Sequence, residues 1–286
     1  MRPAEIENIS DTALWVAIYR AIETERPDAH FRDPYARALA GERGAAIMRG
    51  LPGARSATWA MVVRTAVIDE LILRIVRESG ADAVLNLAAG LDTRPYRLTL
   101  PSSLRWIEVD LPGILSYKEE KLAGAHPVCA VESVKLDLSD AAARRQLFAR
   151  IGSSSRAVLT VTEGLLVYLT SEQVGSLASD LHAHGGFRWW IIDVVSPTLL
   201  RMLQRKFGRS VAAGQAKFQF APEEGTEFFR KYGWRTAEFR STFEEAHRLK
   251  REMRLAWLWR LVARLSSKER QEKFRRMGGI ALLERI

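Results

Sequence analysis

Apolar runs of strand length alternate with stretches of helix length along most of this chain. Strands are predicted at 83–88, 105–109, 128–135, 157–162, 187–195, 234–240 and 279–285. Helices are predicted at 56–79 and near 112–122, 140–150, 171–184, 198–207, 222–231 and 244–264. Alternation of this kind is typical of a parallel sheet with helical crossovers. We therefore predict an α/β fold with one seven-stranded sheet and helices on both of its faces.

The chain is expected to fold as a single domain spanning 1–286. Its 286 residues can bury one large core, and no repeat, low-complexity tract or linker divides them. Residues 1–55 precede the first strand and are predicted to form a helical N-terminal cap, with a helix start at Asp33 and Pro34. Residues 198–222 interrupt the alternation of strands and helices, which predicts an added segment.

The composition is that of a globular protein from a reducing compartment. Hydrophobic residues make up 47% of the chain and charged residues 27%, which is ordinary for a globular domain. No run approaches the roughly 18 apolar residues of a membrane span, and no apolar signal region is seen at the N-terminus. Cys129 is the single cysteine, so an intrachain disulfide is excluded. We expect a cytoplasmic protein with no membrane partner.

The formal net charge of +9 is concentrated in the last third of the chain. Residues 201–286 contain 21 Lys and Arg against 10 Asp and Glu, whereas the remaining residues are close to balance. Such an excess is compatible with an acidic partner such as nucleic acid. The basic residues are interleaved with glutamates, however, which favours solvated helix faces. We expect no specific nucleic-acid binding and keep a nucleic-acid-binding protein as an alternative.

The most informative segment is 84–97, where an apolar strand ends in small residues and Gly90 and then turns into a helix start. Asp110 ends the next predicted strand, 20 residues after Gly90. In doubly wound sheets, a small-residue turn lets the backbone approach a nucleoside, and an acid at the next strand tip accepts hydrogen bonds from the ribose. We therefore predict a nucleoside-containing cofactor bound by Gly90 and Asp110. An ordinary turn glycine and a helix-capping acid are the alternatives.

The same turn favours S-adenosyl-L-methionine over a dinucleotide. A dinucleotide site needs three glycines for its tight turn and helix packing, and Ala88 and Asp92 stand where the first and third would be. Asp92 would also repel a pyrophosphate, whereas the ammonium and sulfonium groups of S-adenosylmethionine tolerate a carboxylate. An NAD(P)-dependent oxidoreductase remains the alternative.

Segment 86–98 resembles the signature of the leucine carboxyl methyltransferase family, which also holds bacterial polyketide O-methyltransferases. Three further stretches match in order: 108–112 with Lys118, 162–169, and 11–13 through 32–36. The resemblance covers nearly the whole chain, and Ala88 departs from it where the family usually has glycine. It implies a class I methyltransferase, Rossmann-like fold, with a mostly parallel sheet whose last strand is antiparallel.

The resemblance implies cofactor contacts for several further residues. Arg64 matches an arginine that holds the carboxylate of the methionine moiety, and an internal salt bridge, for example to Asp92, is the alternative. Asp137 matches the acid of an Asp-Leu pair that reads the adenine, with a simple loop acid as the alternative. Glu163 matches a cofactor-contacting acid, although the helix dipole would also favour an acid there. The predicted cofactor set is Arg64, Ala88, Gly90, Asp110, Leu111, Asp137, Leu138 and Glu163.

Tyr168 is the predicted catalytic residue. It matches a tyrosine that helps to bind the substrate carboxylate in the eukaryotic carboxyl methyltransferases, and a core aromatic is the alternative. Those enzymes place an arginine directly after the adenine-reading pair, where this chain has Ser139. This departure favours a small hydroxylated or carboxylic natural product as substrate. Four tryptophans are candidates to line an apolar pocket for it: Trp189, Trp190, Trp257 and Trp259.

The five histidines show no metal-ligand spacing, and no Ser-His-Asp or Cys-His arrangement can be argued. Methyl transfer needs neither, because an in-line displacement is helped mainly by alignment and by exclusion of water. We therefore predict an S-adenosylmethionine-dependent O-methyltransferase acting on a small hydroxyl- or carboxyl-bearing molecule, with 198–222 on the substrate side. The alternatives are an NAD(P)-dependent oxidoreductase and a nucleic-acid-binding or RNA-methylating protein that uses the basic last third.

Overall fold

A computed structural model describes residues 10–51, 53–213, 217–253, 255–258 and 266–286. Its centre is a seven-stranded sheet of strand order β3-β2-β1-β4-β5-β7-β6. The first five strands pair in parallel, and β7 runs antiparallel to both of its neighbours. The strands are β1 Ala83–Leu87, β2 Arg105–Asp110, β3 Ala130–Lys135, β4 Val158–Thr162, β5 Phe187–Val195, β6 Trp234–Ser241 and β7 Gly278–Arg285. The predicted class I methyltransferase, Rossmann-like topology is confirmed.

The burial pattern of the strands explains why the apolar runs form a central parallel sheet. All five residues of β1 and all five of β4 are buried, since helices cover both faces of the sheet. The edge strand β3 instead carries exposed polar positions such as Ser133 and Lys135. Continuous apolar runs thus occupy the middle of the sheet, and mixed sequences its edge.

Residues 256–258 are helical, and ten further α-helices are assigned within the described residues. They are α1 Ser10–Thr24, α2 Ala36–Gly50, α3 Ala54–Glu78, α4 Arg94–Arg97, α5 Pro112–Lys121, α6 Ala141–Ser154, α7 Ser171–His182, α8 Pro197–Ala213, α9 Thr242–Arg248 and α10 Lys268–Arg275. The residue types at several starts account for the boundaries. Asp140 accepts hydrogen bonds from two amides of the first turn of α6, and Thr170 forms a capping box with Gln173 at the start of α7.

Three helix predictions differ from the structure. The helix predicted at 222–231 is a 3₁₀ helix, Gly225–Tyr232. The helix predicted at 244–264 is interrupted after Arg248, because Lys250 adopts a left-handed φ of 50° that no α-helix accommodates, and residues 256–258 are helical again. Helix α2 begins at Ala36 rather than at Pro34, and the carboxylate of Asp33 is instead buried against Arg20 and Thr93.

Apolar side chains cover both faces of the sheet. Helix α3 packs Val67, Ile68 and Leu71 on one face, and α6 and α7 cover the other face. A third apolar cluster joins α1 and α2 to Phe207 of α8 and lies beside the carboxyl ends of the strands. Within the described residues, no helix is both long and apolar enough to cross a membrane.

Candidate active site

A cavity of about 1270 Å³ opens at the carboxyl ends of the central strands. Ligands bind at this edge in open α/β sheets, because the crossovers diverge there. The floor is formed by the residues that follow β1, β2, β4 and β5, and the walls come from α1, α3 and α8. All nine predicted site residues line this cavity: Arg64, Ala88, Gly90, Asp110, Leu111, Asp137, Leu138, Glu163 and Tyr168.

The turn after β1 contains two residues in the left-handed region, Ala88 with φ of 54° and Gly90 with φ of 51°. At Gly90 a Cβ would lie 3.2 Å from the Cβ of Ala13, so α1 packs closely on the turn. Ala88 carries its methyl group in a conformation that costs an L-residue about 1 kcal/mol or more. The departure from the family pattern at Ala88 is therefore absorbed as backbone strain, and the turn keeps its shape.

Asp110 ties the turn to the tip of β2. Its Oδ2 accepts the amide of Gly90 at 2.6 Å, and its Oδ1 accepts the amide of Leu111 at 2.7 Å. Burial raises the pKa of Asp110, against the two amide hydrogen bonds that lower it. The neighbouring Glu108 is fully buried in an ion pair with Lys118, at 2.7 Å. Asp110 is therefore the acid of β2 that reaches the cavity, as predicted, and its ribose contact stays a prediction.

Arg64 of α3 crosses to the sheet and forms two ion pairs. Its Nε donates to Glu163 Oε1 at 2.9 Å and its Nη1 to Asp193 Oδ2 at 3.1 Å. The third guanidinium nitrogen, Nη2, has no hydrogen-bond partner in the part of the chain that the structure describes. Asp92 is not the partner of Arg64. It pairs with Arg94 at 2.8 Å, so the suggested salt bridge was wrong in its partner.

Arg94 is the buried centre of a charge network beneath Arg64. Its side chain is 2% exposed and binds Asp69, Asp92 and Glu163 at 2.6–2.8 Å. Burial acts to raise the pKa of Glu163, but the guanidinium groups of Arg94 and Arg64 outweigh it and hold that pKa below its usual value. Glu163 is thus a shared, ionised anchor for both arginines.

Asp193 is a site residue that the sequence predictions missed. It follows the apolar stretch 189–192 of β5, accepts the amide of Gly164 at 2.9 Å and faces Arg64. Burial raises the pKa of Asp193, and the charge of Arg64 opposes that shift. The available signal was its position, the single acid of β5 near the carboxyl end of the strand, where ligands bind.

Tyr168 lies in a short 3₁₀ helix after β4, Leu166–Tyr168, and its ring stacks on Phe218 with centroids 5.4 Å apart. Burial raises the pKa of Tyr168 to about 12, although the charge of Arg64 acts in the opposite direction. The hydroxyl is therefore protonated at neutral pH, shares a hydrogen bond with the side chain of Thr12 and has a proton to donate.

Asp137 and Leu138 lie at the cavity rim beyond Asp110, after β3. The exposed carboxylate of Asp137 accepts the amide of Ser139 at 2.8 Å, while the carbonyl of Leu138 accepts Nη1 of Arg144. These bonds fix the loop against α6. The structure places the pair at the cavity, and its contact with adenine stays a prediction.

The tryptophan prediction was wrong for the residues that can be located. Trp190 is fully buried on the face of the sheet that α6 and α7 cover, and Trp189 packs on the face that α3 covers. Trp257 is 57% exposed. None of these three residues lines the cavity. Trp259 lies outside the described residues. The cavity is instead lined by Trp15 of α1 and Trp59 of α3. Among the described residues, no cluster of His, Cys, Asp and Glu could hold a metal ion.

Two crystal structures resemble this fold over almost their whole length. A DUF574 family protein from Streptomyces avermitilis matches with a TM-score of 0.62 at 14% identity, over 95% of this chain and 97% of the other. A protein called "putative methyltransferase" from Thermobifida fusca matches with a TM-score of 0.59 at 16% identity, over 98% and 95% of the two chains. At these identities, the likeness establishes the fold alone.

Sequence comparison goes further. A protein called "putative S-adenosyl-L-methionine-dependent methyltransferase" from Mycobacteroides abscessus is 30% identical over 254 residues, which cover 80% of this chain and 83% of the relative. A similarly named protein from Frankia alni is 33% identical over 204 residues, or 65% and 72% of the two chains. The family model of leucine carboxyl methyltransferases matches residues 13–182. This match spans the turn, the strand tips and Tyr168, so the chain belongs to the leucine carboxyl methyltransferase family.

Proposed function

We propose that the protein transfers the methyl group of S-adenosylmethionine to an oxygen of a small molecule that carries a hydroxyl or a carboxyl group. Its family makes it a methyltransferase, and the relatives described above are called S-adenosyl-L-methionine-dependent. One observation carries the proposal. One cavity is lined by Gly90 of the turn after β1, by Asp110 at the tip of β2, by Arg64 and by Tyr168. The groups proposed to bind the cofactor and the acceptor therefore share a single chamber.

The residues present fit this cofactor. Each oxygen of Asp110 accepts one backbone N–H, which leaves each a lone pair for a ribose hydroxyl. Nη2 of Arg64 is available for the carboxylate of the methionine moiety, as a guanidinium binds carboxylates well. Asp137 and Leu138 would offer the adenine an acceptor and an apolar surface. When bound, the cofactor supplies an electrophilic methyl group.

The chain contributes alignment and a dry environment. In the transfer, the acceptor oxygen forms a bond to the methyl carbon while the carbon–sulfur bond breaks. A hydroxyl acceptor also releases its proton to solvent, whereas a carboxylate has none to lose. Tyr168, protonated at neutral pH, can donate a hydrogen bond that orients the acceptor oxygen. The apolar walls exclude water, and holding the reactants in line is the main source of acceleration.

The basic last third gives no support to a nucleic-acid function. Arg240 and Arg248 both bind Glu70 of α3 and Glu245, and Arg251 binds Glu23 of α1. These cations are therefore neutralised by acids of the same chain, two of which, Glu23 and Glu70, lie in its first part. We propose that no specific nucleic acid is bound, and an anisotropy titration at about 150 mM salt, near cellular ionic strength, tests this. Sequence-selective binding there would contradict it.

Calorimetry with S-adenosylhomocysteine and NAD in parallel tests the cofactor, and we expect binding of the former only. Methyl transfer is then followed from radiolabelled S-adenosylmethionine to a panel of hydroxylated and carboxylic acceptors. Mild alkali separates the two acceptor types, because it hydrolyses methyl esters and leaves methyl ethers intact. Label that reaches only nitrogen acceptors or RNA would overturn the proposal.

A further inference from the structure

The cavity is larger than its cofactor requires. Small-molecule sites usually have volumes of roughly 300–1,000 Å³, whereas this one measures about 1270 Å³. Away from the strand tips, residues of α1, α3 and α8 line the cavity. Aromatic residues and methionines dominate its walls there: Trp15, Trp59, Met61, Met202, Phe207 and Phe218. We call this part of the cavity the acceptor compartment, and its walls suit a long, apolar ligand.

The cations on the cavity wall fall into two groups. The arginines on the inner wall are each ion-paired with a carboxylate, in the pairs Arg20–Asp33, Arg64–Glu163, Arg94–Asp92 and Arg144–Asp180. Arg55 and Lys206 line the same cavity but form no ion pair with a carboxylate among the residues that the structure describes. Both are exposed, and Lys206 Nζ contacts the neutral hydroxyl of Ser56 at 2.9 Å.

These two exposed cations come from different helices, and the part of the cavity that they line is called the mouth below. Arg55 lies in the first turn of α3, and Lys206 reaches across from α8 to the adjacent Ser56. Glu252 also lines the cavity, but its carboxylate lies 3.4 Å from Nδ1 of His247. Arg55 and Lys206 thus make the mouth between α3 and α8 positively charged, and no carboxylate of the described residues forms an ion pair with either of them.

Helix α3 sets the distance between the two ends of the compartment. Arg55 precedes Arg64 by nine residues of one helix, which corresponds to about 14 Å along its axis. Ser56, Ala60 and Arg64 recur at four-residue spacing, so they lie on one face, and all three line the cavity. The wall of the compartment is therefore a continuous path from the mouth to the cofactor end.

We infer that the acceptor is an elongated, mainly apolar molecule whose far end carries an anionic group, bound at the mouth by Arg55 and Lys206. This inference rests on the proposed function, because it takes the cofactor to occupy the Asp110 end. A carboxylate and a phosphate share the required chemistry. The length of the path sets the distance between the anionic group and the methyl-accepting oxygen.

The test uses calorimetry on the full chain saturated with S-adenosylhomocysteine, with probes kept below their micelle concentrations. We expect dodecanoate or dodecyl phosphate to bind, dodecanol to bind more weakly and hexanoate more weakly still. The variant Arg55→Gln with Lys206→Gln should weaken binding of the anionic probe by about fivefold, an effect that grows at low salt, and leave dodecanol unchanged. Arg205→Gln, an exposed neighbour on α8 that does not line the cavity, is the matched control.

A second variant tests the apolar compartment independently. Ala60→Phe fills it one helical turn from Arg64, so dodecanoate binding should fall by about tenfold or more while S-adenosylhomocysteine affinity stays the same. Equal binding of dodecanoate and dodecanol would overturn the anionic mouth. Failure of every long-chain probe to bind a protein that still binds S-adenosylhomocysteine would overturn the whole inference and leave the proposed function standing. Failure of S-adenosylhomocysteine itself would instead refute the proposed function.

Discussion

Arg64 and Glu163 lie 99 residues apart in the chain, and their Nε and Oε1 atoms meet at 2.9 Å at the cofactor end of the cavity. Glu163 also binds Arg94, so one carboxylate positions two guanidinium groups. A buried arginine held in this way loses little freedom when a ligand carboxylate arrives. The pair therefore prepares Nη2 of Arg64 for binding before any ligand is present.

The variant Arg64→Met should lose most of its S-adenosylhomocysteine affinity, because Met keeps the stem and the helix propensity but not the guanidinium. It should also melt earlier, since Asp193 loses its partner in a buried setting. Adding Asp193→Asn removes the uncompensated charge and should restore part of the stability without restoring affinity. Calorimetry below the melting temperature separates the two effects, and normal affinity in Arg64→Met would leave Arg64 a purely structural role.

The variant Asp110→Ala should weaken S-adenosylhomocysteine binding about tenfold to a hundredfold, or roughly 1.5–3 kcal/mol, because it removes a charged acceptor for the ribose hydroxyls. Asp140→Ala is a suitable control. It removes the N-cap of α6, at a cost in stability of about 1 kcal/mol, and its side chain does not line the cavity. An unchanged dissociation constant in Asp110→Ala would remove Asp110 from the site.

The variant Ala88→Gly should stabilise the protein by about 0.5–1 kcal/mol, because it relieves the left-handed φ of 54°. The adjacent Ala89→Gly provides the contrast. Ala89 is buried and is not among the residues with positive φ, so its replacement should destabilise. Urea unfolding measures both variants, and a destabilised Ala88→Gly would show that the methyl group of Ala88 contributes more by packing than it costs in strain.

Glu163 should make stability depend on pH on the acid side. Its pKa in the folded protein lies below the usual 4.5, so its contribution is fully present above that pH and is lost as pH falls through the lowered pKa. The variant Glu163→Gln should be less stable at neutral pH and should lose less stability than the parent on acidification. Denaturant midpoints across this range are the measurement, and parallel curves for the two proteins would contradict the prediction.

The fold could be predicted because its signals are local. Each of the seven strands lies within two residues of its predicted bounds at both ends, since apolar runs and small-residue turns define them. The prediction of one continuous helix over 244–264 was wrong, because an amphipathic pattern does not reveal the left-handed backbone at Lys250. The ion pair of Arg240 with Glu70 was equally unpredictable, because these residues lie 170 positions apart in the chain.

The site was only partly predictable, because only some of its residues are related by local patterns in the sequence. The position of Asp110 follows from the spacing between a turn and the next strand tip, which is a local pattern. The ion pairs of Arg64 connect it to residues 99 and 129 positions away, and no spacing rule relates them. Aromatic residues were misassigned because apolar character marks burial without saying which side of the sheet a residue faces. Trp190 and Trp15 are both aromatic, and only Trp15 reaches the cavity.

Helix α8 and the strand tips contribute to the cavity in different ways. Apart from Arg64 of α3, the residues predicted to hold the cofactor sit on or beside the strands, whereas α8 contributes Met202, Lys206 and Phe207 without belonging to the sheet. Phe207 belongs to the third apolar cluster, whereas Met202 and Lys206 are exposed, so the exposed cavity-lining positions of α8 can change at little cost to the core. If α8 borders the acceptor as inferred above, acceptor preference can then change between relatives through one peripheral helix.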